Sequence, residues 1–166
     1  MTAALRYVIF ITDMGWIGIL SSSQGLVRIT LPQPSAREAH ELLGHAVLSP
    51  WLFSDLIQRL RTYFSGHKAT FPDSLDLSGA TAFQRRVWEV TGLIPYGETR
   101  SYGWVARQID KPGAARAVGQ ALAQNPLPII VPCHRVVTSR GKLGGYSWGV
   151  EMKRYLLGLE ASASTR

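Results

Sequence analysis

The part of this chain best equipped for chemistry is a cysteine beside a histidine. Cys133 and His134 lie in "IIVPCHRVV", residues 129–137, and Cys133 is the only cysteine among 166 residues. A thiolate is a strong nucleophile, but a free thiol with a pKa of about 8.5 is mostly protonated at neutral pH. An imidazole can take that proton when a third group orients it. Neighbouring side chains on an extended chain point opposite ways, so direct contact between these two needs a tight turn or a bridging water. Pro132 favours the turn. A carboxylate must come from elsewhere, and Glu160, in "EMKRYLLGLE", is one of only five acids after residue 80. A lone cysteine is also commonly a small buried hydrophobe. Its proline, histidine and arginine neighbours are odd company for a core residue, and both readings stay open on the residues themselves.

The elements around this stretch have a specific layout. "TAFQRRVWEVTGLI" predicts a helix capped at Thr81, with Phe83, Val87 and Val90 on one face and Pro95 and Gly97 beyond its end. A short helix is expected from about Ser101 to Ile109, then the turn "DKPG", then an Ala-rich helix from about Ala114 to Gln124. Short helix, tight turn and small-residue helix fit a helix-turn-helix. They fit an ordinary helical hairpin as well. The small residues give the second helix a thin surface that suits a groove or a close neighbour.

Upstream, "LRYVIFIT", "WIGIL" and "LVRITL" read as a β-meander with turns at "DMG" and "SSSQG". "SAREAHELLGHAV" has helical character from an N-cap at Ser35, with Glu38 at the capping-box spacing. "WLFSDLIQRLRTYFSG" predicts an amphipathic helix with Leu52, Leu56, Leu60 and Phe64 on one stripe and Gly66 at its end. "HKATFPDSLDLSGA" is polar, holds Pro72 and Gly79, and reads as a linker. The expected architecture is α+β, with residues 1–78 as one domain and 79–166 as another.

Residues 1–80 carry as many basic as acidic side chains, whereas residues 81–166 carry twelve Lys/Arg against five Asp/Glu. The whole net charge of +7 therefore lies in the second half. That imbalance fits a polyanionic partner for this half, and equally a solubilising surface. No segment approaches the ~20 apolar residues of a membrane span, and the N-terminus lacks the pattern of a secretory signal. One cysteine cannot form an internal disulfide or a cysteine-based zinc site, which leads to the expectation of an intracellular, cytoplasmic protein. His40, His45 and His67 have no ligand company and are expected at the surface. Two rival readings are a helix-turn-helix regulator with a redox-sensing cysteine and a cysteine hydrolase. The first lacks a recognisable dimerisation helix, and the second lacks an evident oxyanion hole.

Five motifs, in order, resemble the O6-alkylguanine-DNA alkyltransferases (methylated-DNA–protein-cysteine methyltransferases). They are "YFSG", "FQRRVWEVTGLIPYGETRSYGWVA", "GAARAVGQALAQNPLPIIVPCHRVV", "PCHRV" within it, and "GKLGGYSWGVEMKRYLLGLE". The resemblance covers nearly the whole chain. It implies irreversible, single-turnover transfer of an alkyl group from O6 of guanine in double-stranded DNA to Cys133, with no cofactor and no metal. It implies that His134 acts on the thiol through a water, that Glu160 holds the histidine, and that Asn125 braces the active-site loop. It further implies a monomer that binds DNA through the minor groove. Ala115 and Gly119 would lie against that groove, Arg116 would fill the gap left by the flipped base, and Tyr102 would sit near the flipped nucleotide. Tyr146 would pack on the base, Ser147 would donate towards O6, and the carbonyls of Cys133 and Val136 would read the exocyclic amine. Trp148 would narrow the pocket, Lys153 has no derivable role, and the N-terminal domain would be a ribonuclease-H-like scaffold.

Overall fold

The computed structural model describes residues 4–164, which divide into two compact units, one up to Ser78 and one from Gly79. In the first unit, β1 (Arg6–Thr12), β2 (Gly15–Ser21) and β3 (Leu26–Ile29) form the antiparallel meander. Val8 and Phe10 alternate into the core from β1, and Ile17 and Ile19 from β2 are fully buried. The helix α1 (Ala36–Glu41) begins at Ser35, whose hydroxyl oxygen accepts from the Glu38 N–H. The Ser35 hydroxyl in turn donates to the Glu38 carboxylate, so only half of a capping box forms.

The helix ends at Glu41, six residues short of Val47, where the helical pattern of the sequence runs out. After Glu41 the chain turns at Gly44, in the left-handed region at φ 78°, and enters a short strand, β4 (Val47–Leu48). That strand pairs in parallel with β1 and gives the sheet order β3-β2-β1-β4. Two residues of strand carry too little periodicity to be seen in a sequence. The amphipathic helix is also shorter than its pattern. Pro50–Phe53 wind as a 3-10 turn before α2 (Ser54–Phe64), so Leu52 leaves the stripe and is 59% exposed, while Leu56, Leu60 and Phe64 are buried.

The stretch read as a linker is pinned to the first unit. Leu26 N–H donates to Ser74 C=O at 2.9 Å and Asp76 N–H donates to Leu26 C=O at 2.8 Å, extending the β3 edge. Arg59 grips the Asp73 carboxylate with two hydrogen bonds of 2.8 Å and donates to Thr70 C=O. Gly25 allows the approach, since a Cβ there would lie 2.4 Å from Ser74 O. Sequence polarity identified an irregular segment, and these cross-chain bonds explain why it is nonetheless fixed.

The second unit starts with α3 (Ala82–Thr91), whose Thr81 cap and Gln84 form a complete capping box. Val87, Trp88 and Val90 are buried, and Trp88 Nε1 donates to Ala121 C=O at 2.9 Å. The helix α4 (Tyr102–Gln108) is capped by Ser101, and α5 (Ala115–Ala123) follows after a turn in which Asp110 takes φ 60°. Asp tolerates that left-handed conformation better than most residues. The three helices pack on one another. A two-stranded parallel sheet joins β5 (Arg100–Ser101) to β6 (Val136–Val137), and α6 (Val150–Ser164) packs against the turn that precedes β6. No helix among the described residues is long and apolar enough to cross a membrane. The architecture is α+β, as the sequence led us to expect.

Candidate active site

Cys133, His134 and Arg135 form a single 3-10 turn, and all three are buried. The turn resolves the geometric difficulty of adjacent side chains. Cys133 N–H donates to Val131 C=O at 2.7 Å and Arg135 N–H donates to Pro132 C=O at 2.9 Å. Asn125, one residue past the C-cap of α5, secures the approach to this turn. Its amide nitrogen donates to Val131 C=O at 2.9 Å and to the Cys133 sulfur at 3.1 Å, while its carbonyl accepts from Leu127 N–H at 2.9 Å. Between them Ile129 takes φ 74°, a conformation that β-branched residues rarely adopt. The loop is thus held in a shape it would not choose by itself.

His134 turns away from the solvent towards α6. Its Nε2 lies 2.5 Å from Glu160 Oε2, and the carboxylate needs a donor there, which fixes the tautomer with the proton on Nε2. Arg135 Nε and Nη2 donate to the two oxygens of the same carboxylate at 2.8 and 3.2 Å, and Gly97 N–H donates to Oε1 at 3.1 Å. Arg135 Nη1 donates to Ile94 C=O at 2.8 Å, anchoring the group to the segment that follows α3. Burial pushes the Glu160 carboxyl up, but the bonds from His134 and Arg135 outweigh it and hold it down at about 2. Burial pulls His134 below its ordinary value against the opposing pull of Glu160, so the imidazole is a neutral base. Burial also pushes the Cys133 thiol up, and Asn125, Tyr146 and the Lys153 ammonium oppose it.

The thiol opens into a cavity of about 710 Å³. One wall is α5, through Ala115, Arg116, Gly119, Gln120, Leu122 and Ala123; the other comprises Tyr102 and the loop Gly144–Ser147. Gly144 sits at φ 73°, and a Cβ there would meet the Tyr102 hydroxyl at 2.7 Å, so only glycine lets the loop pass so close. Beneath the loop, Lys153 is 1% exposed. Its Nζ donates to Gly145 C=O at 3.1 Å and reaches the Tyr102 hydroxyl at 3.4 Å. Burial lowers its pKa to about 8, with the nearby cysteine pulling the other way.

Of the residues expected at the site, Cys133, Asn125, Tyr102, Ala115, Arg116, Gly119, Tyr146 and Ser147 meet at this cavity or its floor, with His134 and Glu160 directly behind it. Two do not line it. The Val136 side chain is fully buried in β6, where the residue pairs with Arg100; the role that the resemblance gives this residue lies on its backbone carbonyl, not on that side chain. Trp148 is half-buried, lies inside the turn closed by Gly149 N–H to Tyr146 C=O, and is not among the residues that line the cavity.

Residues 82–162 match the family model described as 6-O-methylguanine DNA methyltransferase, DNA binding domain. The methylated-DNA–protein-cysteine methyltransferase of Mycobacterium tuberculosis is 54% identical over 118 residues, 71% of each chain. That of Methanosarcina acetivorans is 40% identical over 158 residues, covering 95% of this chain and 99% of its own. The chain belongs to the methylated-DNA–protein-cysteine methyltransferase family. The fold agrees: the crystal structure of Mycobacterium tuberculosis OGT in complex with DNA superposes with a TM-score of 0.82 at 42% identity, covering 95% of this chain and 94% of that one. The O6-methylguanine-DNA methyltransferase of Pyrococcus kodakaraensis gives 0.67 at 28% identity, covering 94% and 98%.

In this methyltransferase-family chain, sequence reasoning passed over Arg135 as a mere neighbour of the cysteine. Its signal was present: an arginine in an otherwise apolar run needs a buried acid, and Glu160 was already the acid in hand. Lys153 carried no such signal, because its partners are a loop carbonyl and a tyrosine that only the fold brings together.

Proposed function

We propose that the chain repairs duplex DNA by moving an alkyl group, chiefly methyl, from O6 of guanine to its own Cys133. The single observation that carries this reading is the lone thiol opening into the α5 cavity with the His134–Glu160 pair behind it. Relatives named for this transfer, and the DNA in the Mycobacterium tuberculosis OGT structure, support it. DNA is also the polyanion that the basic second half suits.

O6 is stacked inside the duplex, so the nucleotide must be turned out before reaction. The helix α5 presents Ala115, Gly119 and Ala123 as a thin face that suits the minor groove. Arg116, exposed at the same face, fills the stack vacated by the base, since guanidinium both stacks and donates. The extruded guanine lies between Tyr146 and the α5 wall with Tyr102 at its edge. Neutral His134 accepts the thiol proton through a water, by its Nδ1, and Glu160 and Arg135 steady the imidazolium that forms. The thiolate attacks the alkyl carbon in line with O6. The S–C bond forms as the C–O6 bond breaks, and the proton lost from sulfur is returned to guanine, helped by the Ser147 hydroxyl. A thioether has no ready route back, so each molecule acts once, and the chemistry calls for no cofactor. The reaction belongs where the DNA is, which in a bacterial cell is the cytoplasm.

Intact-mass measurement after mixing with O6-methylguanine duplex tests this. One added methyl, located at Cys133 by peptide mapping and absent in Cys133→Ser, is the expected result. An unchanged mass, with binding to unmodified duplex of one sequence, would favour a redox-sensing regulator instead.

A further inference from the structure

Of the polar side chains that line the cavity, Gln120 is the one to which neither the transfer chemistry nor base extrusion gives a task. It stands on α5 one helical turn after Arg116, and Ala115, Gly119 and Ala123 around it carry nothing longer than a methyl group. Gln120 is exposed, and its carboxamide makes no hydrogen bond among the described residues. A long, free hydrogen-bonding group on a face otherwise kept thin is unexplained by packing. Alanine would form the helix better at an exposed position.

We infer that Gln120 reads the minor-groove edge of a base pair beside the lesion and selects guanine there. This rests on the reading above, in which α5 lies in the minor groove with Arg116 in the vacated stack. Four residues of helix advance about 6 Å, and base pairs are spaced at about 3.4 Å, so Gln120 falls one or two pairs from the lesion. In the minor groove, A·T and T·A pairs offer only acceptors, whereas guanine adds its 2-amino donor beside N3. A carboxamide has one donor and one acceptor face. Its NH2 donates to N3 and its oxygen accepts from the 2-amino group, so guanine satisfies both. At an adenine or thymine the oxygen meets no donor and is desolvated without return.

The experiment measures methyl-transfer rate constants from duplexes that differ only in the pair one or two steps to either side of the lesion. Each position carries G·C, inosine·C, which lacks the 2-amino group, or A·T. At one of these positions the unmodified chain is expected to react roughly tenfold faster with G·C than with inosine·C, the scale of a good two-bond base contact. Gln120→Leu, which keeps length but not hydrogen bonding, and Gln120→Ala should both bring that ratio close to one. A ratio near one in the unmodified chain at every position overturns the inference, and so does a preference that survives in both variants. Absence of transfer from every duplex would bring down the alkyltransferase reading and this inference together, while transfer without a flank preference brings down this inference alone.

Discussion

Asn125 donates its side-chain amide to the Cys133 sulfur at 3.1 Å while the same nitrogen holds Val131 C=O. One residue therefore shapes the loop and biases the thiol towards its anion. Asn125→Ala removes both effects together with the bond accepted from Leu127 N–H. It should destabilise the protein by about 1–3 kcal/mol, since buried polar groups lose their partners, and it leaves Ile129 at φ 74° without its brace. The thiol should also become less acidic. Denaturant unfolding gives the first effect. The pH profile of iodoacetamide labelling gives the second cleanly, because no other cysteine reacts. An unaltered labelling profile would mean that the amide bond does not act on the sulfur.

Lys153 offers a complementary prediction. Its ammonium lies close enough to favour the Cys133 thiolate, and its own pKa of about 8 means that the charge is present at neutral pH and fades above that value. Lys153→Met should slow labelling of Cys133 most below about pH 8 and least in strong base, where the thiol of either protein is ionised. The same variant frees the Gly144–Ser147 loop from Gly145 C=O. Limited proteolysis or hydrogen exchange should then report faster opening of that loop. A labelling deficit that is equal at all pH values would point to loop disorder alone.

The buried ionic cluster sets the acid limit of stability. His134 is held below its ordinary pKa, so an unfolded chain takes up a proton near 6.5 that the folded one refuses. Glu160 is held at about 2, so the unfolded chain also takes up a proton near 4.5 that the folded one refuses. In both cases the unfolded state binds more protons, and stability falls as pH drops from about 6.5 towards 2. The Glu160 part of that loss is on the order of 3 kcal/mol. Glu160→Gln should be less stable at neutral pH, because Arg135 loses its counter-charge, and flatter in its pH dependence below about 4.5. Unfolding midpoints across this range would measure both features. A variant curve parallel to that of the unmodified chain would show that Glu160 is not the titrating group.

The sequence made some parts of this molecule legible and hid others for physical reasons. The meander, the Thr81 cap and the α4–turn–α5 unit were readable because each is encoded in one contiguous stretch of chain, Arg6–Ile29 for the meander and Tyr102–Ala123 for the helix pair. The 3-10 turn at Cys133 was half-readable, since Pro132 announced a bend without fixing the direction of His134. Short β4 was not readable, nor was the binding of Asp73 and Asp76 back to Arg59 and Ser22. Those depend on partners more than ten residues away. The same distance effect hid Lys153 against Tyr102, and Trp148, inside the turn from Tyr146 to Gly149, is not among the residues that line the cavity.

Arg116 separates extrusion of the base from chemistry on it. The side chain is exposed on α5 and lines the cavity mouth without an ion-pair partner among the described residues. In the proposed complex it replaces the stacking that the turned-out guanine gives up, which costs a few kcal/mol in duplex DNA. Free O6-methylguanine base leaves no gap behind, so its reaction does not draw on that compensation. Arg116→Ala should therefore slow transfer from methylated duplex by roughly ten- to a hundredfold, following the factor of ten for each 1.4 kcal/mol. Transfer from the free base should fall far less. Single-turnover rate constants on both substrates, measured at one salt concentration, give the comparison. Loss of one cationic side chain from the interface also predicts a lower salt slope for duplex binding. Equal losses on duplex and free base would place Arg116 in the chemistry at Cys133 instead of in the DNA stack.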